Sequence, residues 1–304
     1  MEVLKLKSEA VASQEFFSPV RLKYPLVLTR QGLLMEVHLI SSSIEIQKII
    51  QYTEGNSIYD YHWVTPTTYI VLVKDHPIVL RSSSTGKIIK KYPIYSHLDE
   101  IKSPYTACLS DSQIITILGN TVHKIDIESS VHTTHLLNLP NFRPRTVTNS
   151  ISTNNSITAI GSYNTASYLI DHNTQKPIKK LNSLNSVNQF IFSQYNLYIG
   201  AIHSEIIQIW DLRQLNSPLI DIPRYHPTHQ KILFDVDSNS NLGFGNGDGS
   251  ICVYNDNFQK ISQFYAHFDA VNSVQFYNQG LVTSSGQRHL GKIRPKSLIR
   301  EFIW

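Results

Sequence analysis

A repeat with a period of about 44 residues constrains the fold of this chain more than any other feature of its sequence. Short runs of alternating apolar and polar residues, each ending in a bulky residue before a polar turn, recur near Val37, Arg81, Ile125, Ile170, Trp210, Tyr254 and Phe302. Successive runs lie 44, 44, 45, 40, 44 and 48 residues apart. One blade of a β-propeller, a four-stranded antiparallel sheet, needs about 40–45 residues. Seven such units fill the 304 residues of the chain.

The interior of each unit predicts strands rather than helices. A second apolar run precedes most of the seven runs, as in TYIVLV, QIITIL, SITAIG, NLYIG and GLVTSSG. A third run comes before it, as in IYDYHWV, VNQFIF and KILFDV. Alternation with a period of two is typical of strands that bury one face. We therefore predict an all-β chain with almost no helix, folded as a seven-bladed WD40-type β-propeller.

The two ends of the chain complete this prediction. About 15 residues precede the first unit, whereas the last unit lacks a fourth strand after Trp304. A propeller that closes its ring by pairing an N-terminal strand with the last blade has this arrangement, and closure removes exposed sheet edges. No linker or low-complexity block interrupts the sequence. We therefore expect residues 1–304 to form a single domain.

Composition and charge exclude several classes of protein. Hydrophobic residues make up 41% and charged residues 16% of the chain, which is typical of a folded rather than a disordered chain. No apolar stretch approaches the roughly 20 residues that span a bilayer, and the N-terminal sequence MEVLKLKSEA lacks the apolar core of a signal peptide. Cys108 and Cys252 lie in short apolar runs and are expected to be reduced core residues. The net charge of +4 is compatible with RNA binding without predicting it.

The signature residues of WD blades are degenerate in this chain. The WD dipeptide occurs once, at Trp210–Asp211, and a Gly-His-like position reads Ala266–His267, followed by Asp269. In WD blades such a histidine and aspartate usually join a buried polar network with a Ser or Thr and the Trp. We expect structural roles for these four residues, while most blades depend on apolar packing.

Six segments, in one order, closely resemble the telomerase Cajal-body WD-repeat protein family. They are YTEGNSIYDYHWV (residues 52–64), TYIVLVKDHPIVLRSSSTGKI (68–88), YSHLDEI (95–101), IWDLRQ (209–214), LFDVD (233–237) and SSGQR (284–288). The resemblance implies a nuclear seven-bladed propeller that binds small nuclear or small Cajal-body-type RNAs and their ribonucleoproteins (RNPs). The chain departs from the animal pattern because it has no long N-terminal extension and no acidic, proline-rich C-terminal segment.

These departures favour the fungal branch of the family, whose members are tied to spliceosomal small nuclear RNPs (snRNPs). The expected partners are therefore small nuclear RNA, RNP proteins and other spliceosome components, in support of pre-mRNA splicing or snRNP biogenesis. A telomerase or Cajal-body RNA escort factor is the alternative within the same family. We expect no membrane partner and no small-molecule substrate.

Two short motifs are candidates for binding partners. The segment 58–63 alternates aromatic and polar residues, so that Tyr59 or Trp63 could stack on unpaired RNA bases. The same alternation fits an inner strand whose aromatic residues pack between blades. Asp99 and Glu100 lie between two predicted blades and fit either an acidic partner-binding patch or a turn whose backbone N–H groups they satisfy.

The densest basic stretch follows the glycine of the SSGQR segment. It holds Gln287, Arg288, Lys292, Arg294 and Lys296. Arginine suits bidentate contact with phosphate, so this stretch is the best candidate for an RNA-contacting region. A solvated loop between strands is the alternative.

No pattern predicts catalysis or a metal site. Asp235 and Asp237 point to one side of a strand without a nucleophile or third ligand nearby. The pairs His132-x-x-His135 and His226-x-x-His229 lack the further ligands that zinc needs. We expect no catalytic residue, no metal and no cofactor. Three functions therefore compete: an RNP-binding scaffold, which the resemblance favours, a protein-only adaptor propeller, and a propeller enzyme, for which the sequence supplies no set of convergent acids.

Overall fold

The computed structural model describes most of the chain from residue 58 to residue 285, together with strands on either side. The described residues are 5–12, 26–28, 33–40, 43–51, 58–96, 99–140, 142–143, 146–154, 156–163, 166–181, 184, 186–202, 204–225, 232–277, 280–285 and 297–303. Every regular element in these ranges is a β-strand. The predicted all-β class is therefore confirmed. None of the described ranges contains a helix able to cross a membrane.

The strands, in chain order, are β1 (Lys5–Ala12), β2 (Leu26–Leu28), β3 (Leu33–Ile40), β4 (Ser43–Gln51), β5 (Ile58–Thr65), β6 (Thr68–Val73), β7 (Ile78–Ser82), β8 (Ile88–Tyr92), β9 (Ala107–Ser110), β10 (Gln113–Leu118), β11 (Thr121–Asp126), β12 (His132–Leu136), β13 (Thr148–Thr153) and β14 (Ile157–Ser162). The remainder are β15 (Ser167–Asp171), β16 (Pro177–Leu181), β17 (Val187–Ser193), β18 (Asn196–Ala201), β19 (Ile206–Asp211), β20 (Ile220–Pro223), β21 (Phe234–Val236), β22 (Leu242–Gly245), β23 (Ser250–Tyr254), β24 (Lys260–Tyr265), β25 (Val271–Tyr277), β26 (Gly280–Ser285) and β27 (Ser297–Ile303). Within the described residues they form seven sheets, six of four strands and one of three. Four-stranded antiparallel sheets in this number are consistent with a WD40-like propeller.

The chain divides into two compact units. Unit 2 comprises residues 56–201 and 208–220, and unit 1 comprises the remainder. Unit 2 contains the sheets β5-β6-β7-β8, β12-β11-β10-β9 and β13-β14-β15-β16, and most of β17-β18-β19-β20. The first strands of these four sheets, β5, β9, β13 and β17, lie side by side.

The second strand of each sheet in unit 2 is buried on both faces. The strand TYIVLV at 68–73 is buried at every position except its first, and β14 and β18 have the same pattern. Continuous apolar runs of this length suit strands covered by neighbouring sheets on both sides. The outer strand β12 is instead exposed at all five positions. The core of unit 2 therefore lies between the sheets rather than on one side of them.

Unit 1 contains three sheets, and the last one joins both ends of the chain. Its sheets are β2-β3-β4, β21-β22-β23-β24 and β1-β27-β26-β25. The N-terminal strand β1 pairs antiparallel with β27, from Lys5 opposite Ile303 to Ala12 opposite Ser297. The predicted pairing of an N-terminal strand with the last sheet is therefore present.

A β-bulge recurs at the same position of four first strands. The register shifts at the second residue of β5, β13, β17 and β25, which places Tyr59, Asn149, Asn188 and Asn272 in equivalent bulges. A bulge turns the side chain at that point and strengthens the local twist. Asparagine at three of the four positions is a sequence signal for this bulge.

The cysteines behave as the sequence predicted. Cys108 and Cys252 are both buried, and both are free thiols. Burial raises the pKa of the Cys252 thiol, which keeps it protonated and unreactive at neutral pH.

Candidate partner-binding edge

In every four-stranded sheet of unit 2, one edge carries the start of the first strand and the turn between the second and third strands. We call it the leading edge. In the sheet β5-β6-β7-β8, Ile58 pairs with Val73 and Ile78 pairs with Tyr92, so these four residues mark the leading edge. The loop from Pro93 to Thr106 leaves this edge and leads to β9. Loops that leave a rigid sheet at one edge are the usual location of binding residues.

Two tyrosine rings meet at the leading edge. Tyr59, in the bulge of β5, and Tyr105, just before β9, have ring centroids 4.5 Å apart with planes inclined by 31°. Tyr59 is half-buried and packs on the core between the first two sheets, while Tyr105 is 44% exposed. Burial, followed by the neighbouring Tyr105 and Asp75, raises the pKa of Tyr59 to about 12. Tyr59 therefore stays neutral and supports Tyr105, whose ring is available to a partner.

The loop before β9 contains a small hairpin that carries two of the predicted residues. Tyr95 and Ile101 form an antiparallel bridge, and Asp99 occupies the turn with a φ of 57°. The Lys102 ammonium donates a hydrogen bond of 2.8 Å to the Glu100 carboxylate. This bond raises the pKa of Lys102. Glu100 is therefore held in an exposed ion pair, while Asp99 is presented at the tip of the hairpin.

Two sets of hydrogen bonds fix the loop before β9 against the first sheet. The Ser103 hydroxyl donates to the His76 carbonyl at 2.8 Å and accepts from the His76 N–H at 2.9 Å. The Thr106 hydroxyl donates to the buried Asp60 carboxylate at 2.8 Å. Asp60 thus joins two sheets. Both contacts hold Tyr105 in place relative to Tyr59.

The structure separates Trp63 from this edge. Trp63 lies four residues further along β5, roughly 13 Å from Tyr59, and its ring packs edge-on against Tyr69 with centroids 5.4 Å apart. It is only partly exposed. Of the two residues in 58–63 that were candidates for stacking, Tyr59 therefore lies at the leading edge, whereas Trp63 packs within its own sheet.

Another exposed tyrosine lies at the leading edge of a later sheet in unit 2. Tyr163 follows β14 and is exposed. Its N–H donates to the Val147 carbonyl at 3.0 Å, and its carbonyl accepts a hydrogen bond from the Ser186 hydroxyl. Tyr95, Tyr105 and Tyr163 were not among the predicted residues, because aromatic residues in irregular loops carry no periodic signal.

The charges at this edge are mixed. Two cations, Lys74 and Lys102, lie here with three carboxylates, Asp75, Asp99 and Glu100, and all five residues are exposed. Tyrosines among mixed charges are typical of protein interfaces, where the ring buries area and the hydroxyl finds a partner. A phosphate backbone would meet at least as many carboxylates as cations here. The leading edge of unit 2 therefore suits a protein partner better than a nucleic acid.

The WD dipeptide has a structural role. Trp210 is 1% exposed in the core of unit 2, and its indole N–H donates to the Gln208 side-chain oxygen at 2.9 Å. Asp211 lies next to it at the surface, where Arg213 donates to both of its carboxylate oxygens. These bonds lower the pKa of Asp211 to about 2. Arg213 also stacks over the Tyr195 ring, 4.7 Å from its centroid.

A buried histidine network lies in unit 1. The buried His267 lies 2.8 Å from the Thr283 hydroxyl through Nε2, and the Arg300 guanidinium donates to the Ala266 carbonyl beside it. Burial, and secondly Arg300, lowers the pKa of His267 to about 3. The buried Asp269 caps its own loop by accepting from the Ala270 N–H. This network has an arginine, Arg300, close to the histidine, while Phe302 stands at the repeat position of Trp210.

The basic stretch lies outside the described residues. This applies to Gln287, Arg288, Lys292, Arg294 and Lys296. The strands on either side of it are described: β26 ends at Ser285, which pairs with Val271 at the start of β25, and also with Leu298 near the start of β27. The residues that flank the stretch therefore lie at the edge of the last sheet where β25 begins.

Among the described residues, the histidine and aspartate pairs do not form a metal site. His132 and His135 lie three residues apart on β12 and so point to opposite faces, and His226 and His229 lie outside the described residues. Over the described ranges, no three His, Cys, Asp or Glu side chains come together as metal ligands. Asp235 accepts from the Phe276 N–H, and Asp237 from the Asn239 and Asn241 N–H groups. Both aspartates therefore hold backbone in place.

His132 instead contacts His123, and the pair predicts a dependence of stability on pH. Their ring nitrogens Nδ1 of His123 and Nε2 of His132 lie 2.9 Å apart, and burial, followed by His132, lowers the pKa of His123 to about 4. In the unfolded chain His123 is protonated below about pH 6.5, whereas in the folded chain it is protonated only below about pH 4. Stability should therefore fall as the pH drops through this window. Between about pH 7 and 4.5, urea unfolding should show a loss roughly 2 kcal/mol larger for the wild type than for His123→Gln. Parallel pH profiles for the two proteins would contradict the assignment.

Several known proteins are similar to this chain in sequence or in fold. No protein-family model matches the chain. It is 26% identical over 278 residues to telomerase Cajal body protein 1 of Bos taurus, a match that covers 80% of this chain and 50% of the relative. The chain is similar to telomerase Cajal body proteins. It spans about half the length of the relatives that carry this name.

A second relative has a different name. Guanine nucleotide-binding protein negative regulator 1 of Schizosaccharomyces pombe is 23% identical over 254 residues, a match that covers 74% of this chain and 64% of the relative. Neither name assigns a catalytic activity to the relative itself. Of solved structures, the computationally designed Ika8 protein superposes with a TM-score of 0.65 at 11% identity, covering 98% of this chain and 99% of that chain. At this identity the likeness concerns the fold alone.

These similarities support part of the sequence resemblance. The relatives named telomerase Cajal body protein 1 agree with the resemblance to the telomerase Cajal-body family. Their name places them in a nuclear body, and a scaffold or adaptor role fits both names. Membership of a splicing-associated fungal branch stays a prediction.

Proposed function

We propose that this chain is a non-enzymatic scaffold that binds small nuclear RNA and its RNP proteins in the nucleus, in support of pre-mRNA splicing or snRNP biogenesis. The observation that carries the proposal is the similarity to telomerase Cajal body protein 1 along 80% of the chain. We also propose that residues 1–304 form one seven-bladed ring, closed by the N-terminal strand. Seven sheets within the described residues and the pairing of β1 with β27 support the ring.

The leading edge of unit 2 is proposed to hold the protein component of the RNP. The Tyr105 ring supported by Tyr59, and the hairpin tip at Asp99 and Glu100, form an exposed surface with aromatic and mixed-charge character. Such a surface gains affinity from buried ring area and specificity from the charges around it. Trp63 has no place in this surface because its ring packs against Tyr69.

The RNA component is proposed to meet the basic stretch at the last sheet. Arg288, Lys292, Arg294 and Lys296 provide four cations without an intervening carboxylate, and Gln287 precedes them. Each cation that neutralises a phosphate of a single strand contributes a slope of about −0.7 to the dependence of log K on log salt. Four such contacts predict roughly 50-fold weaker binding at 200 mM than at 50 mM salt.

The proposal is tested by crosslinking the protein in its own cells and sequencing the attached RNA, with the wild type compared to Arg288→Glu plus Lys292→Glu. We expect enrichment of spliceosomal or guide RNAs that the double variant loses. For the purified proteins, the double variant should halve the salt slope of RNA binding, while Lys87→Glu plus Lys91→Glu, on the exposed outer side of unit 2, should leave it unchanged. If no RNA crosslinks to the wild type, direct RNA binding is wrong.

A protein-only adaptor is the second candidate function. The similarity to a negative regulator of a guanine nucleotide-binding protein favours it. This function predicts that Tyr105→Ala disrupts the complexes of this chain with other proteins. It also predicts that the wild-type chain binds no RNA. An escort role for telomerase or Cajal-body RNA predicts the same contacts as the splicing role, and differs in which RNA is recovered.

A further inference from the structure

Three aromatic rings around one turn of unit 1 are exposed to solvent. Phe268 is 87% exposed, Tyr265 78% and Tyr225 53%. We call them the ring cluster. Large apolar side chains that protrude together from a folded protein usually mark an interaction site. The ring cluster was not predicted from the sequence and belongs to no site described above.

Hydrogen bonds hold Tyr225 against one side of the turn between β22 and β23. Its N–H donates to the Asn246 side-chain oxygen at 2.9 Å, and its carbonyl accepts from the Gly247 N–H at 2.7 Å. The Asn246 side chain is itself fixed, because its amide nitrogen donates to the Ser250 hydroxyl at 2.9 Å. The backbone that carries the Tyr225 ring is therefore tied to this turn.

The other two rings flank a second pair of hydrogen bonds to the same turn. The N–H groups of Ala266 and His267 donate to the Gly249 carbonyl at 3.0 and 3.1 Å. Tyr265 comes directly before these two residues, and Phe268 comes directly after them. All members of the ring cluster are therefore attached to backbone that is bonded to this one turn.

The turn also presents a carboxylate. Asp248 is exposed, and its Oδ1 accepts hydrogen bonds from the N–H and the hydroxyl of Ser250, at 2.9 and 2.7 Å. Among the described residues, none donates to its other oxygen, Oδ2. One carboxylate oxygen is thus fixed by the fold, while the other is open to a partner.

Of the described residues in this turn and in the loop after β24, Asp248 carries the exposed charge. His267 and Asp269 in that loop are both buried, and burial lowers the pKa of His267 to about 3, so its ring is neutral at pH 7. Two nearby arginines, the buried Arg224 and the half-buried Arg300, donate to backbone carbonyls. At its surface the turn therefore combines a carboxylate with exposed rings.

Unit 2 contains a complete example of what such a combination can hold. The Arg213 guanidinium lies 4.7 Å from the centroid of the exposed Tyr195 ring. It also donates to both oxygens of Asp211, at 2.9 and 2.6 Å. A guanidinium makes both contacts at once, because its flat face stacks on a ring while the N–H groups in its plane match a carboxylate. Among the described residues, no arginine contacts the ring cluster.

We infer that the ring cluster and Asp248 form a binding site for an arginine side chain of a partner protein. The guanidinium would stack on an exposed ring and donate to Oδ2 of Asp248. The small residues of the turn, Gly247 and Gly249, leave room for a flat group to approach. A nucleic acid is disfavoured, because its phosphates would meet the carboxylate. This site goes beyond the proposed function, since it lies in unit 1 and does not depend on RNA binding.

The test measures binding of the purified full chain to fluorescein-labelled peptides by fluorescence anisotropy. Each peptide consists of three Gly-Ser-X repeats, where X is arginine, lysine or citrulline. Citrulline keeps the flat shape of arginine but has no charge, and lysine keeps the charge without the flat fork of N–H groups. We expect the arginine peptide to bind about fivefold more tightly than the lysine peptide and about tenfold more tightly than the citrulline peptide.

Two substitutions remove the two halves of the site. Phe268→Ala and Asp248→Asn should each weaken binding of the arginine peptide about fivefold. Asparagine keeps the oxygen that accepts from Ser250, so the turn should keep its conformation. Phe268→Tyr keeps a ring and should bind like the wild type. So should Asp256→Asn, the matched control, which removes an exposed carboxylate from the turn between β23 and β24.

The outcomes separate this inference from the proposed function. If the wild type does not bind the arginine peptide, or binds the citrulline peptide as tightly, the arginine site is wrong. It is also wrong if Phe268→Ala and Asp248→Asn bind the arginine peptide like the wild type. If oligo(U) RNA loses affinity with Phe268→Ala but not with Asp248→Asn, the rings hold bases instead. None of these results depends on the RNA crosslinking experiment, so either proposal can fail alone. Because Phe268 and Asp248 are exposed, thermal unfolding of the variants should match the wild type.

Discussion

Replacing Trp210 with alanine should lower the free energy of unfolding by about 3–5 kcal/mol. The indole ring is 1% exposed and packs among Leu, Ile, Val and Phe side chains of unit 2. Its removal leaves a cavity, because the surrounding strands are fixed by their ladders and cannot collapse fully. It also removes the donor that reaches the Gln208 side-chain oxygen. Urea unfolding followed by circular dichroism measures the change.

The neighbouring residue of the dipeptide provides the control. Asp211→Ala removes a surface ion pair with Arg213, and exposed ion pairs contribute little to the free energy of unfolding. Trp210→Phe should lie between the two, since it keeps much of the ring and loses the indole N–H. If Trp210→Ala and Asp211→Ala proved equally mild, the placement of Trp210 in the core would be contradicted.

Gly249→Ala should destabilise the chain by about 3 kcal/mol or more. Gly249 has a φ of 88°, a conformation that an alanine adopts only under strain. A Cβ at this position would lie 2.0 Å from the His267 carbonyl oxygen and 3.1 Å from that of Asp269. These are backbone atoms, so the loop that carries Phe268 would have to move.

Gly243→Ala is the matched control in the same sheet. A Cβ there would lie 3.1 Å from the edge of the Phe276 ring, a side chain that can move by a few tenths of an ångström. The expected loss is less than about 1.5 kcal/mol. Equal thermal midpoints for the two alanine variants would show that the turn at Gly249 adopts another conformation.

Local patterns predicted the secondary structure because they are set within a strand. The run at 68–73 was expected to be a strand from its apolar residues alone, and it is β6, buried on both faces. For the dipeptide Trp210–Asp211 a structural role was expected from the sequence, and Trp210 is buried. The pairing of β1 with β27 followed from the number of strands in the repeats.

The candidate sites were harder to predict, because side-chain exposure depends on what packs above each residue. Tyr59 and Trp63 occupy the same face of the alternation in 58–63, yet Tyr59 meets Tyr105 and Trp63 meets Tyr69. Tyr105 is 46 residues from Tyr59 in sequence, the difference between their numbers. No local pattern relates two residues that are brought together by the return of the chain to the next sheet.

The sequence by itself determined the class of fold, the length of the repeat and the identity of the buried strands, because alternation and period are properties of neighbours along the chain. Only the tertiary structure decided which aromatic residues are exposed. Phe268 lies in a polar loop with no periodicity, and its ring is exposed because the Gly249 carbonyl fixes the N–H groups of Ala266 and His267 beside it. Exposure of this kind results from hydrogen bonds between loops of neighbouring sheets, which no stretch of sequence contains on its own.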